Sequence, residues 1–288
     1  MRNCRCRKNV FLPQLRKQRR CNKKTTPITS LIQIEEPLKS KLIEFLQAPS
    51  KRIRPLVTIL YLRAYNINVT QRHYKLLTAV ELMHNASLIH DDIIDESKIR
   101  RNNKTLNFEF DNKLAVISGD YILSKALFYL SEIKSPETID IFAQTLSQMC
   151  EGETFQYFNK FEIPTLENYL KKTEQKTAKL FQSVLESAIL ISKKELFHNA
   201  SEFGKNFGTA FQIRDDLINV KTLQTDITDG IYTAPVIFAG NTQNLQNGIE
   251  KTYCLLDKYI EKAKQNLPAE NNKYKHALEE LLELLRYE

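Results

Sequence analysis

Apolar residues recur at helical spacing along most of the chain. Between residues 70 and 96 they fall every three or four positions, which predicts one long helix with Thr70 as its N-cap. The residues with this spacing are Leu76, Leu77, Val80, Met83 and Leu88. Further helices are predicted at 37–47, 112–133, from 135 onward, at 165–191, at 203–220 and from 233 onward, with two amphipathic helices at the end. No stretch alternates like a strand, so the body is predicted to be all-α.

Glycine is scarce, and charge is uneven along the chain. Seven glycines in 288 residues favour long helices over the tight turns of sheets. The net charge is +8, yet residues 1–26 contain ten Lys and Arg and no acid, which leaves 32 basic and 34 acidic residues in the remainder. By charge, the body is therefore not a nucleic-acid-binding domain. Residues 1–30 are predicted to be a disordered basic extension, with contact to anionic lipid and organelle targeting left open.

Neither hydropathy nor cysteine usage indicates a membrane span or an oxidising compartment. No apolar run approaches the roughly 20 residues that a membrane span needs, so the protein is expected to be soluble or peripheral. Cys150 and Cys254 each stand alone among helical residues and are predicted to be buried thiols.

Three aspartates interrupt the apolar end of the long predicted helix, in LIHDDIIDE at 88–96. Asp91 and Asp95 are four residues apart and share a face, with Asp92 about a third of a turn away. Carboxylates this close repel one another unless a cation lies between them. The same face continues upstream through Ser87, His84 and Val80. A face that is apolar at one end and acidic at the other suggests a pocket wall with a metal site at its mouth; a solvated turn is the alternative.

A second acidic cluster lies in FQIRDDLIN at 211–219. It contains Asp215 and Asp216, with Asn219 on the following turn, and is expected to face the first cluster across a cavity. Oxygen ligands without Cys or His suit Mg²⁺, and basic residues near them suit a diphosphate. The candidate basic residues are Lys51, Arg54, Arg100 and Arg101. No GxxxxGK or GxGxxG occurs, so a glycine-rich phosphate loop does not hold the ligand.

Seven motifs, in this order, resemble those of the trans-prenyltransferases, the polyprenyl diphosphate synthase family. They are KRIRP at 51–55, ELMHNASLIHDDIIDES at 81–97, RR at 100–101, GDYILSKA at 119–126, QKTAKLF at 175–181, FQIRDD at 211–216 and DGIYTAPVIFA at 229–239. The resemblance covers roughly 35–285. It implies one all-α domain over 31–288, a helical bundle around a deep central cavity of the isoprenoid synthase type. It also implies a Mg²⁺-dependent enzyme that condenses isopentenyl diphosphate with an allylic diphosphate, as a homodimer or as a heterodimer with a paralogue.

The resemblance also implies a role for each candidate residue. Mg²⁺ bridging to the allylic diphosphate would be held by Asp91, Asp92, Asp95, Asp215 and Asp216, with Arg100 completing the charge balance. Isopentenyl diphosphate would be held by Lys51, Arg54, His84 and Arg101. The allylic group would be flanked by the catalytic residues Lys176, Thr177 and Gln212. The oxygens of Thr177 and Gln212 can stabilise a developing carbocation.

The second acidic motif departs from the family pattern. Asn219 stands where the family usually has Asp, and the segment from Asp216 to Asp226 is shorter than usual and lacks a Gly-Lys-Pro. Asn219 can still offer an oxygen, and Lys221 can substitute for the absent lysine. Asn102, after the arginine pair, replaces a usual Gly. A non-catalytic subunit that controls an active paralogue is therefore the alternative to an active prenyltransferase. A terpene cyclase fits poorly, because such enzymes do not need the residues that hold isopentenyl diphosphate.

The fifth residue before Asp91 is predicted to influence product length. It is Ala86, where short-chain members of the family often have an aromatic residue, so the wall is open at this level. One helical turn rises about 5.4 Å, close to one isoprene unit. The floor is expected deeper, at Met83 or at Leu127 and Phe128 on a facing helix. Long all-trans products, of the kind used as quinone side chains, are therefore predicted. The predicted localisation is cytoplasmic, with organelle targeting by the basic N-terminus left open.

Overall fold

The computed structural model describes residues 32–195, 197–222 and 225–287. These ranges contain thirteen α-helices, one π-helix and one two-stranded ladder. The first part comprises α1 (Leu38–Gln47), α2 (Ile53–Ala64), α3 (Gln71–Ile94), β1 (Ile99–Arg100), β2 (Asn103–Lys104), α4 (Leu106–Glu109), α5 (Asn112–Ser131) and α6 (Pro136–Phe158). The second comprises α7 (Leu166–Thr173), a π-helix (Glu174–Ala178), α8 (Lys179–Ser192), α9 (Phe197–Thr222), α10 (Thr225–Thr228), α11 (Ala234–Ala239), α12 (Gln246–Lys264) and α13 (Lys273–Tyr287). The predicted all-α class is confirmed, and the extension predicted for 1–30 lies outside the described residues.

Two helices begin at residues whose side-chain oxygen caps the helix. Ser135 caps α6, because its Oγ accepts a hydrogen bond from the backbone N of Thr138 at 3.4 Å and Pro136 follows. Thr165 caps α7 in the same way, with Oγ1 3.2 Å from the backbone N of Asn168. At the start of α3 the contact is different, since the backbone N of Thr70 donates to the ring Nδ1 of His73 at 3.0 Å.

The described residues form two compact units. Unit 1 contains residues 32–50 and 85–121, and unit 2 contains residues 51–84 and the described residues from 122 onward. Helices α3 and α5 contain residues of both units. The first acidic motif and the RR pair belong to unit 1, whereas the second acidic motif and the remaining candidate residues belong to unit 2.

In unit 1, a short hairpin follows the end of α3. Its two strands are antiparallel and pair Ile99 with Lys104 and Arg100 with Asn103. The turn between them has positive φ at Arg101 (53°) and Asn102 (65°). Asn tolerates this left-handed conformation better than most non-glycine residues do. Asn102 can therefore replace the glycine that the family usually has here.

In unit 2, α8 is the most deeply buried helix of the site region. It packs against α9, α6 and α2. Its fully buried apolar residues are Leu180, Phe181, Val184, Leu185, Ala188 and Ile189. Burial of each large side chain contributes roughly 1.5–3 kcal/mol, which fixes the position of the helix that follows the QKTAKLF motif.

A π-helix interrupts the helix predicted over 165–191. Two glycines let its neighbours approach it closely. A Cβ at Gly152 of α6 would lie 3.1 Å from the Cβ of Gln175, and a Cβ at Gly208 of α9 would lie 2.6 Å from the Cα of Ala178. The π-helix, which contains Lys176 and Thr177, is thus held between α6 and α9. π-Helical turns are frequent at functional sites.

The structure differs from the sequence analysis on one apolar helix and on two cysteines. By length and composition, α5 is apolar enough to cross a membrane, because its charged residues are few and widely spaced. Core helices meet the same criteria, so this observation alone assigns no span. Cys150 and Cys254 are exposed rather than buried, because each lies on the solvent-facing side of its helix.

Candidate active site

Asp92 is the buried member of the first acidic motif. It is 2% exposed, and its Oδ1 accepts a 2.6 Å hydrogen bond from the Nε of Arg100 on β1. Burial raises the pKa of Asp92 above its ordinary value, and the Arg100 guanidinium opposes this shift. Arg100 therefore supplies the counter-charge to the Asp92 carboxylate.

Hydrogen bonds attach the segment that follows the hairpin to the end of α3 and the residues just after it. The Nδ2 of Asn107 donates to the backbone oxygens of Asp92 at 3.0 Å and of Ser97 at 3.1 Å. The Oγ1 of Thr105 donates to the same Ser97 oxygen at 2.6 Å. These bonds hold the last turn of α3, where Asp91 is half-buried and Asp95 is exposed.

The donor chemistry of the first acidic motif fits Mg²⁺. Asp91 and Asp92 in the last turn of α3 and Asp95 directly after it offer carboxylate oxygens, and hard cations prefer such ligands. Within the ranges that the structure describes, no three His, Cys, Asp or Glu side chains form a ready-made metal site. Unbridged carboxylates repel one another, so a bound cation would have to draw these side chains together.

A basic groove in unit 1 lies beside the hairpin. The residues that line it are Lys41, Glu44, Phe45, Ala48, Arg100, Arg101, Asn103, Lys104 and Leu106. Four basic side chains and one acid make the groove attractive to anions. Both residues of the RR pair, Arg100 and Arg101, contribute to it, and their binding of a diphosphate stays a prediction.

In unit 2, a chain of hydrogen bonds connects three candidate residues. The Oγ1 of Thr177 donates to the Oε1 of Gln212 at 2.7 Å, and the Nε2 of Gln212 donates to Asp216 Oδ1 at 2.8 Å. Asp216 is 3% exposed, and its Oδ2 accepts a 2.6 Å bond from the hydroxyl of Tyr169. Burial raises the pKa of Asp216, while Lys172 and these hydrogen bonds oppose the shift.

A buried arginine lies near the other acid of this motif. Arg54 is 7% exposed, its guanidinium carbon lies 4.7 Å from the centre of the Phe181 ring, and its Nε has no hydrogen-bond partner among the described residues. Burial lowers the pKa of Arg54 to about 10, against the opposing charges of Glu81 and Asp215. The structure therefore brings Arg54 and Asp215 into one electrostatic environment.

Asp215 has two basic residues near it. Its Oδ1 lies 2.9 Å from the Nη1 of Arg214. Burial raises the pKa of Asp215, and the charges of Arg214 and Lys51 act against this shift. Lys51 is exposed and His84 is half-buried.

A further group of charged residues surrounds Asp216. Lys176 forms an ion pair with Glu153 of α6. Burial lowers the pKa of Lys172, and the charges of Asp216, Asp226 and Glu153 oppose that shift. Burial and the neighbouring Asp216 raise the pKa of Asp226 to about 6. Asp216 thus has two lysines and a second carboxylate near it.

Comparison with known proteins assigns the family. The model of the polyprenyl synthetase family matches residues 35–272. This chain belongs to the polyprenyl synthetase family. The predicted trans-prenyltransferase family is therefore confirmed.

Individual relatives show how far the similarity extends. In an alignment 280 positions long, the chain is 34% identical to decaprenyl-diphosphate synthase of Dictyostelium discoideum, and the match covers 85% of this chain and 59% of that protein. In an alignment 252 positions long, it is 34% identical to a prenyl transferase of Synechocystis sp., and the match covers 83% of this chain and 75% of that protein. The solved structure of a polyprenyl synthase from Caulobacter crescentus CB15, complexed with calcium and isoprenyl diphosphate, matches 91% of this chain and 92% of its own, with a TM-score of 0.81 and 25% identity. These likenesses confirm the isoprenoid synthase fold. The alignment spans about three fifths of the Dictyostelium protein.

The sequence motifs did not indicate four residues of the site. They are Glu153, Tyr169, Lys172 and Asp226. A weak signal existed for Tyr169 and Lys172, because they precede Lys176 by seven and four residues and so fall on one helical face. No local signal indicated Glu153 or Asp226.

Asn219 and Lys221 do not take the roles expected of them. The Nδ2 of Asn219 donates to Thr225 Oγ1 at 2.8 Å and to Asp226 Oδ1 at 3.0 Å, and its Oδ1 accepts from the backbone N of Asp226 at 3.3 Å. Both ends of the amide are thus bonded to residues 225–226, so Asn219 positions Asp226. Lys221 is exposed, and its ammonium donates to the hydroxyl of Tyr253 on α12.

The residues expected to form the floor of a product cavity divide into two groups. Met83 and Ala86 are 1% and 2% exposed, which agrees with positions inside the protein. Leu127 and Phe128 are 44% and 59% exposed, so the expectation that they form a cavity floor is wrong. Both lie on the outer side of α5, which periodicity alone could not distinguish from the inner side.

Proposed function

We propose that this chain is a Mg²⁺-dependent trans-polyprenyl diphosphate synthase that condenses isopentenyl diphosphate with an allylic diphosphate. The family match and the names of its relatives support a prenyltransferase. The observation that carries the proposal is the partly buried hydrogen-bond chain from Thr177 through Gln212 to the buried Asp216. Burial of so many polar groups is costly unless each is satisfied. A subunit without catalytic activity would have no need to maintain this chain.

The reaction breaks the bond between the allylic C1 and its diphosphate oxygen and forms a carbon–carbon bond to isopentenyl diphosphate. Mg²⁺ held by Asp91, Asp92, Asp95, Asp215 and Asp216 would neutralise charge on the leaving diphosphate. Arg100 would complete the charge balance of the allylic diphosphate, and Lys176 would flank the allylic group. The oxygens of Thr177 and Gln212 stabilise the positive charge that develops on the allyl group. The departed diphosphate accepts the final proton.

The second substrate needs a separate set of cations. Lys51, Arg54, His84 and Arg101 are proposed to bind the diphosphate of isopentenyl diphosphate. Arg54 supports this role, because a guanidinium with an unbonded Nε inside the protein is suited to a charged ligand. His84 is half-buried, which leaves part of its ring accessible.

We propose products longer than about twenty carbons. Ala86 is small, buried and one helical turn from the acids, where about 5.4 Å of rise corresponds to one isoprene unit. Met83, also buried, is the next residue on the same side of α3. The name of the Dictyostelium relative, a decaprenyl-diphosphate synthase, agrees with a long product.

The protein is proposed to form a homodimer in the cytoplasm, with Leu127 and Phe128 of α5 and Ile139 of α6 in its interface. All three are apolar and at least 40% exposed, and exposed apolar side chains often mark interfaces. A heterodimer with a paralogue, in which this chain is a non-catalytic subunit, is the alternative. Contact of the basic N-terminus with a membrane surface is a separate proposal, and those residues lie outside the described ranges.

The test is an assay of the purified chain alone. It is incubated with isopentenyl diphosphate, an allylic primer and Mg²⁺, and products are identified by mass spectrometry while light scattering measures the oligomeric state. Long all-trans prenyl diphosphates from a homodimer support the proposal. A folded dimer without isopentenyl transfer, with any of several primers, favours the non-catalytic alternative.

A further inference from the structure

Lys172 has an unusual environment for a lysine. It lies in the last turn of α7, one turn before Lys176, and its side chain is half-buried. Its ammonium donates one hydrogen bond, at 3.3 Å, to the Oε1 of the buried Gln156. It also lies 5.7 Å from the centre of the Tyr169 ring, whose hydroxyl donates to Asp216. Lys172 is therefore placed beside the second acidic motif.

The charges around Lys172 are mainly negative. Asp216, Asp226 and Glu153 act on its ammonium, with Lys176 as the opposing positive charge. Lys176 is already paired with Glu153. Lys172 and Lys176 are thus both near Asp216 and Asp226, and the charge of Lys172 acts more strongly on these two carboxylates than that of Lys176.

Lys172 retains capacity to bind an anion. An ammonium has three N–H donors, and within the described part of the chain Lys172 makes one hydrogen bond and no ion pair. Tyr169 and Gln156 hold the side chain from two sides while its partner is a neutral amide. A lysine held in this way, without a carboxylate in contact, is arranged to receive a ligand that carries negative charge.

Lys221, the other lysine near this motif, is arranged differently. It is exposed, its ammonium lies 4.6 Å from the centre of the Tyr253 ring, and it donates to the Tyr253 hydroxyl. It is not among the charges that act most strongly on Asp216 or Asp226. Lys221 therefore fails to provide the cation that the shortened segment lacks.

We propose that Lys172 binds the diphosphate of the allylic substrate at the second acidic motif, in place of the lysine that the shortened segment lacks. This inference rests on the proposed function. When the diphosphate binds, the ammonium donates to its oxygens and remains close to Asp216 and Asp226. Lys172 then contributes to substrate binding with Lys176, four residues further on.

The test compares three variants by calorimetry. Lys172→Met removes the charge at similar size, Lys172→Arg keeps it, and Lys171→Met is the control on an exposed neighbour. The probes are inorganic pyrophosphate and an unreactive thiolodiphosphate analogue of the allylic substrate, each with Mg²⁺. A hydrogen bond to a charged group corresponds to roughly ten- to a hundredfold in affinity. Lys172→Met should weaken the binding of both probes by about that factor, and Lys172→Arg should restore much of the lost affinity. Lys171→Met should bind both probes with wild-type affinity.

Two further measurements distinguish ligand binding by Lys172 from a purely structural role. The KM for isopentenyl diphosphate and the melting temperature of Lys172→Met should stay close to the wild-type values if Lys172 binds the allylic diphosphate. Probe affinity within twofold of wild type, or equal weakening of both substrates, overturns the proposal. If Lys172→Met fails to fold, Lys172→Gln is measured in its place under the same criteria. Wild-type protein that binds the probes but transfers no isopentenyl group would contradict the proposed function while leaving this inference intact.

Discussion

The carboxylate of Asp226 is expected to make the free energy of unfolding depend on pH. One substitution, Asp226→Asn, should remove this dependence. Its carboxylate is partly buried, near Asp216, and accepts a hydrogen bond from Asn219 at 3.0 Å. Asp226→Asn removes the charge and keeps a side-chain oxygen that can accept the same bond. The change therefore isolates the effect of the charge.

The expected magnitude follows from the pKa of Asp226. This pKa rises from an ordinary 3.8 to about 6 in the folded protein. Each pKa unit corresponds to about 1.4 kcal/mol, so the shift corresponds to about 3 kcal/mol, which partial exposure reduces to roughly 1–2 kcal/mol. Because the folded state holds the proton more tightly, this group lowers the free energy of unfolding as pH rises through about 4 to 6. Below that range both states are protonated and the cost disappears.

Denaturant titration from about pH 3 to about pH 7.5, in the presence of a chelator, measures this effect. Asp226→Asn should be more stable than wild type by roughly 1–2 kcal/mol at the upper end and equal to it at the lower end. Asp140→Asn, an exposed residue of α6, is the matched control and should show no such gap. A gap that is the same at every pH, or larger in acid, would refute the reasoning.

Three further predictions concern the site. Asp91→Ala should reduce initial rates of isopentenyl transfer by several powers of ten with little change in melting temperature, since the acids repel one another; near-normal turnover would exclude Asp91 as a metal ligand. Asn219→Asp should lower stability by about 1–3 kcal/mol at neutral pH, because it places a carboxylate where the Asn219 amide lies 3.0 Å from Asp226 Oδ1. It should also raise the Mg²⁺ concentration at half-maximal rate, and a lower requirement would assign Asn219 to the metal instead. Ala86→Phe should shorten the products seen by mass spectrometry and cost about 1–3 kcal/mol by overpacking, because Ala86 is 2% exposed; unchanged chain length would show that Ala86 does not line the product path.

Features that depend on residues close together along the chain could be predicted from the sequence. Helical periodicity gave the all-α class, because an apolar face must be buried whatever its partner is. Asp91 and Asp95 share a face by spacing alone. The Thr177–Gln212 bond joins residues 35 positions apart, and periodicity contains no information about which helices meet. Family resemblance supplied that pairing.

The part that could not be predicted depends on two local irregularities. Reading 165–191 as one helix puts Lys172 and Lys176 on one face, but the π-helix at Glu174–Ala178 changes the register between them. Its wider turn fits because Gly152 and Gly208 have no Cβ where α6 and α9 approach it.

The second irregularity is the shortened segment after α9. Its short length suggested that a metal-binding carboxylate is missing. The Asn219 amide instead forms hydrogen bonds to Asp226 in α10 and holds this residue in place. An aspartate at position 219 would repel that carboxylate. Position 219 therefore departs from the family motif for a physical reason. An amide is needed there because it donates to the carboxylate of Asp226, which lies within hydrogen-bond distance.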